Sequence, residues 1–469
     1  MYRRIGIIQG YRLIRAVRQR IPLSNSTLLR LAVLAGLLVG LLGVGYMVPR
    51  VSPETVLMAV AMPPTVLLAI SQLEYGVLGI ILSAAAVRFS LSTGTQSRVV
   101  ASLLVTMLFI VLWIAQMMVR DRKLHLKPSS TNAPLLAFIL TTFISYAWGN
   151  AFRDVLVMVW DTWPVVQLGG LAVMVLLPGA FLLTANSISE IRWLKLLSWI
   201  TILVGTLYLV DYFSPITLSF LNVSGLFSMW FVSLAYAQAL FNEKLAAWLR
   251  LTLLGLVGIW MYIYFILRVT WLSGWLPSIV ALATISLIKS RRLALVLAIV
   301  GAIYLGLRWD YYTGSVVDAE SQESGNTRLA AWEHNWRVTG KHFLFGTGPA
   351  GYAAYYMSYF PTEAMATHSN YIDILSQTGF VGLFFCLWFF GALTWSGYRL
   401  CLRLRGSADF REGFAAATLA GCVGCIVAMG LGDWLFPFVY TQTIAGFDYA
   451  VYNWVFLGGI VALANMESS

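Results

Sequence analysis

The run RVVASLLVTMLFIVLWIAQMMV, residues 98–119, is followed directly by the basic segment RDRKLHLK at 120–127. A helix needs about 20 mostly apolar residues to cross the hydrocarbon core of a bilayer, so this run is long enough for one span. A transmembrane β-barrel would instead show alternating segments of about ten residues, and the sequence lacks this alternation. The pattern therefore predicts a membrane-spanning α-helix that ends at a cationic connection.

Similar apolar runs recur through the whole chain. Its 469 residues are 59% hydrophobic and 11% charged, whereas soluble domains carry about 25% charged residues. The composition predicts an all-α fold, a polytopic membrane helix bundle of about 12–14 transmembrane helices. The predicted spans lie near 28–48, 53–71, 75–91, 98–119, 133–149, 164–185, 193–213, 223–241, 248–267, 271–288, 293–309, 370–397, 413–432 and 437–464.

The net charge of +11 is concentrated at the ends of the predicted spans. Residues 1–27 carry six arginines and no acid, so the enrichment of Lys and Arg in cytoplasmic connections predicts a cytoplasmic N-terminus. Counting spans from there places RDRKLHLK, residues 289–292 (KSRR) and residues 399–411 (RLCLRLRGSADFR) on the cytoplasmic side. The charge is therefore a topology signal, and we expect no nucleic-acid partner.

This count divides the chain into four parts. Residues 1–27 form a basic segment that either lies on the membrane as an amphipathic helix or simply sets the topology. Residues 28–309 hold transmembrane helices 1–11, residues 310–369 form one large external loop, and residues 370–469 hold the last spans. No internal repeat or low-complexity linker marks a second folded domain.

The external loop contains three of the four histidines and is expected to form short helices. A helix that begins near Asn326 places Arg328, Trp332 and Trp336 along one face, because residues four apart are neighbours on a helix. An arginine beside aromatic rings suits phosphate and sugar binding. Trp is also the usual residue at membrane interfaces, so both interpretations stay open for the two indoles.

The segment FLFGTGPAGY, residues 343–352, predicts a tight turn. Gly346 and Gly348 permit either a structural turn or a backbone cradle for phosphate. Tyr352 begins a group of tyrosines that either stack on sugar rings or lie at the level of the lipid headgroups. Tyr371 follows in HSNYIDILSQTGFVGL, residues 368–383.

His368 closes the external loop directly before an apolar helix. The positive end of that helix disfavours imidazolium, so a neutral His368 could accept a proton, although a lone interfacial histidine can also be structural. His334 and His342 lie in the same loop. Their spacing of eight residues, without a nearby cysteine, matches no zinc pattern.

Together, Arg328, Trp332, the FLFGTGPAGY turn and the HSNYIDILSQTGFVGL motif resemble the O-antigen ligase and O-antigen polymerase superfamily of bacterial envelope enzymes, over roughly residues 250–400. The resemblance implies a multi-pass protein of the bacterial inner membrane with a periplasmic loop. It also implies transfer of a glycan from undecaprenyl diphosphate to an acceptor hydroxyl. The acceptor would be lipid A core for a ligase, a lipid-linked repeat unit for a polymerase, or a protein for related oligosaccharyltransferases.

The resemblance assigns roles residue by residue. His368 matches the loop-closing histidine proposed as the base, and Arg328 matches the loop arginine that contacts the diphosphate. A second family arginine lies within Ser-Arg-Gly, but this chain has Ser273 and Gly274 without it. Arg268 is the nearest cation, and it is either a substitute phosphate contact or an ordinary arginine at the membrane edge. The other candidate substrate-binding residues are Trp332, Gly346, Gly348, Tyr352 and Tyr371.

Metal-dependent oligosaccharyltransferases need clustered acids in an external loop, and no Asp-x-Asp occurs here, so the sequence predicts metal-independent transfer without a cofactor. The alternative is a lipid or polysaccharide flippase-type transporter. A transporter would show related halves and functional polar residues near mid-membrane, whereas the distinctive residues of this chain gather in one loop. Asp433 and Asp448, in or beside the last spans, either line an acceptor path or form structural pairs.

Overall fold

The computed structural model describes residues 72–92, 98–120, 122–214, 221–268, 272–314, 326–361 and 366–468. The basic segment at 1–27 and the predicted spans at 28–48 and 53–71 lie outside the described residues.

The described residues form helices almost throughout, with one small β-hairpin. Strands β1 (Ser90–Ser92) and β2 (Arg98–Val100) pair antiparallel, with Ser90 opposite Val100. The helices are α1 (Glu74–Ala86), α2 (Ala101–Val119), α3 (Asn132–Ala151), α4 (Trp163–Ser187), α5 (Ile191–Phe213), α6 (Phe227–Phe241), α7 (Ala247–Met261), α8 (Leu272–Lys289), α9 (Arg291–Leu307), α10 (Trp309–Tyr312), α11 (Asn326–Thr339), α12 (Tyr352–Tyr359), α13 (Asn370–Leu404), α14 (Phe410–Ala428) and α15 (Phe447–Met466).

Three segments depart from the α-helical repeat. A π-helical turn, Tyr262–Leu267, extends α7, and 3₁₀ turns cover Gly340–His342 and Ile444–Gly446. The π-helical turn ends the helix that leads to Arg268.

Eight helices within the described ranges are long and apolar enough to cross a membrane, which confirms the predicted polytopic all-α fold. Several predicted boundaries agree within a few residues, such as 164–185 for Trp163–Ser187. The last predicted span, 437–464, differs most, since α15 begins only at Phe447. The apolar residues before it form turns instead. The membrane-crossing candidates are Ala101–Val119, Trp163–Ser187, Ile191–Phe213, Ala247–Leu267, Leu272–Lys289, Asn370–Leu404, Phe410–Ala428 and Ile444–Met466.

Helix α6 lies in the core, and nearly all of its side chains are buried between α14, α8 and α7. Close approach to α14 depends on a small residue, because the Trp230 ring lies against Gly421. The Trp230 indole Nε1 donates to the Asn453 side-chain oxygen on α15 at 2.7 Å. Small residues that let helices approach, combined with buried hydrogen bonds, are typical of packing within membranes.

Replacing Gly421 with alanine should destabilise the bundle. The added methyl group would lie 2.4 Å from the Trp230 ring. Overpacking costs about 1–3 kcal/mol, more than the roughly 1 kcal/mol by which alanine favours a helix over glycine. Thermal unfolding in detergent should therefore occur at a lower temperature than in the wild type.

Gly258→Ala is the matched control, because a methyl group there meets no atom within 4 Å. We expect this variant to melt at or above the wild-type temperature. Equal melting of the two alanine variants would contradict the close contact between α6 and α14.

Candidate functional site

The external loop folds together with a second connection, residues 152–162 between α3 and α4. The Tyr359 hydroxyl donates to Asp154 Oδ2 at 2.7 Å, and this hydrogen bond is the main cause that lowers the pKa of Asp154. Apolar side chains from the two connections also pack into one cluster. Both connections therefore lie on the same side of the bundle. The cluster contains Val157, Trp163, Val338, Ala354 and Tyr355.

Helix α13 is interrupted at Gly379, whose φ of 70° and ψ of −172° are not helical. The break frees carbonyl groups on the last residues before it. The Ser376 carbonyl accepts from the Thr347 amide at 2.9 Å, and the Gln377 carbonyl accepts from the Gly348 amide at 3.0 Å. The FLFGTGPAGY turn therefore supplies the donors that the interrupted helix lacks.

The same turn also satisfies the residues after the break. The amides of Phe380 and Val381 donate to the carbonyls of Phe343 and Leu344 at 2.7 and 3.3 Å. The Ser145 hydroxyl on α3 donates to the Phe345 carbonyl at 2.6 Å. Backbone groups at membrane depth need such protein partners, and this exchange lets the helix bend without orphaned amides.

The two candidate glycines of the turn take part in these backbone contacts with the interrupted helix. Gly346 has a φ of 68°, and a Cβ there would lie 2.4 Å from the Gln377 carbonyl. Its amide donates to the His342 carbonyl at 2.7 Å, and the Gly348 amide is engaged as described above. These contacts favour the structural turn over the phosphate cradle. A role for Gly346 and Gly348 in substrate binding stays a prediction.

Trp332 connects helix α11 to the segment that carries His368. Its indole Nε1 donates to the Thr367 carbonyl at 2.7 Å. His368 is half-buried and has a φ of 49°, which is uncommon for a residue other than glycine. Trp336, on the same helix, is 49% exposed. Trp332 therefore contacts the segment that carries His368, whereas Trp336 is largely exposed on the same helix.

Two buried carboxyl groups lie beneath this segment. Asp373 Oδ1 accepts from the Thr367 hydroxyl and from the Tyr352 hydroxyl, both at 2.6 Å. Asp433 lies close enough to Asp373 for the charge of Asp373 to raise its pKa, and both side chains are 1% exposed. Two adjacent carboxylates cannot both stay ionised in such a site, so the pair shares a proton.

Arg328 belongs to the same electrostatic group. Burial and then the charge of Asp373 hold the pKa of Asp433 well above its usual value, while the positive charge of Arg328 opposes this rise. The Arg328 guanidinium therefore lies within electrostatic range of the carboxyl pair. Arg328 is thus linked to the pair of acids by its charge, and Trp332 and the segment of His368 are linked to it through Thr367.

Sequence reasoning noted Asp433 but missed Asp373. An acid inside a predicted apolar span is costly unless it is paired or functional, and this signal could have found Asp373. Asp448, the other acid noted, accepts from the Ser102 hydroxyl at 2.5 Å and from the Asn222 amide at 3.4 Å. These two contacts give Asp448 the structural pairing that was one of its two interpretations.

Arg268 lies at the end of the π-helical turn. Its guanidinium is 5.6 Å from the ring centres of both Tyr212 and Tyr264. The Arg268 side chain is exposed and makes no ion pair with any residue in the described part of the chain. An exposed cation at a helix end can contact an anion. Gly274, part of the altered family motif, accepts from the Ser228 hydroxyl at 3.3 Å.

The remaining candidates make contacts inside the protein. The Tyr371 hydroxyl donates to the Ile426 carbonyl at 2.6 Å, and the Tyr352 ring stacks on Phe438 with centroids 4.4 Å apart. Burial raises the pKa of Tyr352 well above its usual value, so its hydroxyl stays a hydrogen-bond donor to Asp373. Binding of substrate by either tyrosine stays a prediction.

The other two loop histidines lie in different surroundings. His334 stacks on Phe360 with ring centroids 4.4 Å apart. His342 Nε2 is 3.0 Å from the Tyr355 hydroxyl, and burial lowers the pKa of His342. Within the described ranges, no three His, Cys, Asp or Glu side chains are placed to hold a metal ion.

The family model for O-antigen ligase matches residues 224–387. The matched segment runs from just before α6 into α13 and includes Arg268, Arg328 and His368. This match confirms the resemblance to the O-antigen ligase and polymerase superfamily, and it supports a membrane glycosyltransferase that acts on lipid-linked glycans. Comparison with the curated proteins found no match.

The shared proton makes stability depend on pH. Unfolded Asp433 ionises near its ordinary pKa of about 3.9, whereas the folded protein keeps the proton to higher pH. The folded state binds more protons in this window, so stability should fall as pH rises, by up to about 1.4 kcal/mol per pH unit. Asp433→Asn keeps a neutral hydrogen-bonding group there and should flatten the pH dependence of thermal unfolding in detergent. Parallel curves for the variant and the wild type would contradict the shared proton.

Proposed function

We propose that this protein transfers a glycan from undecaprenyl diphosphate to an acceptor hydroxyl on the outer face of the bacterial inner membrane. The N-terminus would lie in the cytoplasm and the large loop in the periplasm, as the distribution of Lys and Arg predicts. The acceptor would be lipid A core for a ligase or a lipid-linked repeat unit for a polymerase. Membrane lipids surround both substrates, so the site must be reached from the bilayer surface.

In this proposal, His368 is the general base. Its imidazole accepts the proton of the acceptor hydroxyl while the hydroxyl oxygen bonds to the anomeric carbon of the donor sugar. The bond between that carbon and the phosphate oxygen breaks, and undecaprenyl diphosphate leaves with one additional negative charge. Arg328 stabilises this charge, because an arginine fork matches phosphate oxygens and is most effective where charge develops.

The observation that carries the proposal is the way His368 is held. The residue before it, Thr367, accepts from Trp332 through its carbonyl and donates to Asp373 through its hydroxyl. His368 itself adopts a φ of 49°. Uncommon backbone conformations persist only where surrounding contacts enforce them, and they cluster at active sites. Such fixed geometry is what a general base requires.

Arg268 is the proposed second contact for the diphosphate. The two tyrosine rings flank its guanidinium, and a π-helical turn precedes it. Turns of this kind appear frequently at functional sites. In this role Arg268 replaces the arginine that is missing between Ser273 and Gly274. The transfer would need no metal ion or cofactor, because the cations are side chains.

Loss of the base or of the loop cation should abolish transfer. We expect His368→Ala to lower the rate by about 10²–10⁴-fold and Arg328→Ala by about 10²–10³-fold. The assay would use purified protein with lipid-linked donor and acceptor, and thermal unfolding would check the fold of each variant.

His342→Gln is the matched control, since His342 lies in the same loop but bonds to Tyr355. It should keep most of the wild-type rate. Normal glycan products from folded His368→Ala or Arg328→Ala protein would disprove the mechanism.

A ligase and a polymerase of this superfamily differ in the acceptor that they use. Purified protein incubated with lipid-linked repeat units alone should give a ladder of products if it is a polymerase. If it is a ligase, product should form only after a lipid A core acceptor is added. Product in neither case, with transport of the lipid-linked glycan across vesicle membranes instead, would favour the flippase.

A further inference from the structure

A groove of about 1200 Å³ lies at the opposite end of the bundle from the external loop. Its walls come from the last turns of α8, the second half of α13 and the part of α14 from Glu412 to Val423. This volume exceeds the roughly 300–1,000 Å³ of usual small-molecule pockets. The residues after α8 and after α13 belong to the basic connections that the charge pattern places in the cytoplasm.

The groove is apolar along most of its length and basic at one end. Leu287, Trp395 and Leu402 line it and are each more than half exposed, at 58%, 59% and 51%. Lys289, Arg291 and Arg405 line its basic end. An apolar channel between helices that ends at a cluster of cations has the same polarity as a phospholipid.

The three cations are not neutralised by the protein. None of Lys289, Arg291 and Arg405 forms an ion pair within the described parts of the chain. Glu412 also lines the groove, but its carboxylate accepts from the backbone amides of Gly406 and Ala408 at 3.1 and 2.8 Å. Glu412 thus holds that turn, and with three cations and one carboxylate the groove keeps an excess of positive charge.

Helix α9 adds to the positive potential at this end. It starts at Arg291, and its Ser290 cap accepts from the Leu293 amide at 3.5 Å. The first turn of a helix carries the positive end of its dipole. Two arginines in sequence, Arg291 and Arg292, stand at that positive end. Such an arrangement is unfavourable for the isolated protein and favourable once an anion binds.

The length of the groove fits one leaflet. Gly391 and Arg405 both line it on α13, and the 14 residues between them rise roughly 21 Å along a helix. Half of the bilayer, including its headgroup region, is about 20–22 Å thick. A chain that starts at the cations therefore reaches the middle of the bilayer beside Gly391, where no atom lies within 4 Å of a Cβ position.

We propose that this groove binds an anionic phospholipid of the inner leaflet, with its phosphate at Lys289, Arg291 and Arg405. Basic pockets between transmembrane helices on the cytoplasmic side are suited to anionic headgroups. The two alternative occupants are the N-terminal segment at 1–27 and a second copy of the chain. Both would bring basic cytoplasmic connections against these cations, and the like charges would repel.

The first test measures lipid binding to the detergent-purified full chain. Phosphatidylglycerol should bind and raise the temperature of unfolding, whereas phosphatidylcholine and inorganic phosphate should not. The triple variant Lys289→Gln, Arg291→Gln, Arg405→Gln should bind phosphatidylglycerol on the order of 100-fold more weakly than the wild type.

The matched control removes the same charge elsewhere on the cytoplasmic side. Arg120→Gln, Arg122→Gln, Lys123→Gln changes three cations outside the groove and should bind phosphatidylglycerol like the wild type. If both triple variants lose binding equally, the effect is one of net charge and the proposed site is wrong. Stabilisation by inorganic phosphate alone would also overturn the proposal.

A second test fills the groove without changing its charge. Gly391→Leu meets no clash at its Cβ and replaces glycine with a better helix former, so the variant should fold and lose phosphatidylglycerol. A photo-crosslinking amino acid at position 391 should attach to lipid in native membranes. Attachment to residues 1–71 or to a second copy would identify another occupant and overturn the proposal.

Discussion

The candidate site depends on one buried carboxyl group, that of Asp373. Its Oδ1 atom accepts from Tyr352 at the start of α12 and from Thr367 beside His368. Its charge also raises the pKa of Asp433, which follows α14. One carboxyl thus joins three segments that are far apart in sequence. No water molecule can replace a lost partner of a buried carboxyl, so each of these partners is costly to remove.

A second constraint comes from the backbone rather than from charge. Lipid offers no hydrogen bonds, so an interrupted helix needs protein donors and acceptors at the break. The turn at 343–348 supplies both sides of the break at Gly379, which anchors the loop to the same helix that carries Asp373. The loop is therefore fixed at two points, by the hydrogen bonds to Asp373 and by the backbone hydrogen bonds across the break at Gly379. This fixation explains how His368 can hold an uncommon conformation.

The helical membrane fold and the candidate residues of the loop could be predicted from the sequence. The residues that these candidates contact in the fold were predicted less well. Arg328, Trp332 and His368 were selected from local motifs, and the structure links them to one carboxyl pair, Arg328 by its charge and the other two through Thr367. Asp373 itself could have been found as an acid within an apolar span, but its partners Tyr352 and Asp433 lie 21 and 60 residues away, and no local pattern encodes their contact. The break at Gly379 was also missed, although the polar run SQTG at 376–379 interrupts the apolar segment there.

The break in α13 also has a consequence for the order of assembly. The turn at 343–348 precedes residues 376–381 in the chain, so it is synthesised before the helix whose break it completes. Without the turn already in place, the backbone groups exposed at Gly379 would meet only lipid tails when that helix inserts. Assembly of this protein therefore has a direction, in which the turn prepares the place where the next helix inserts.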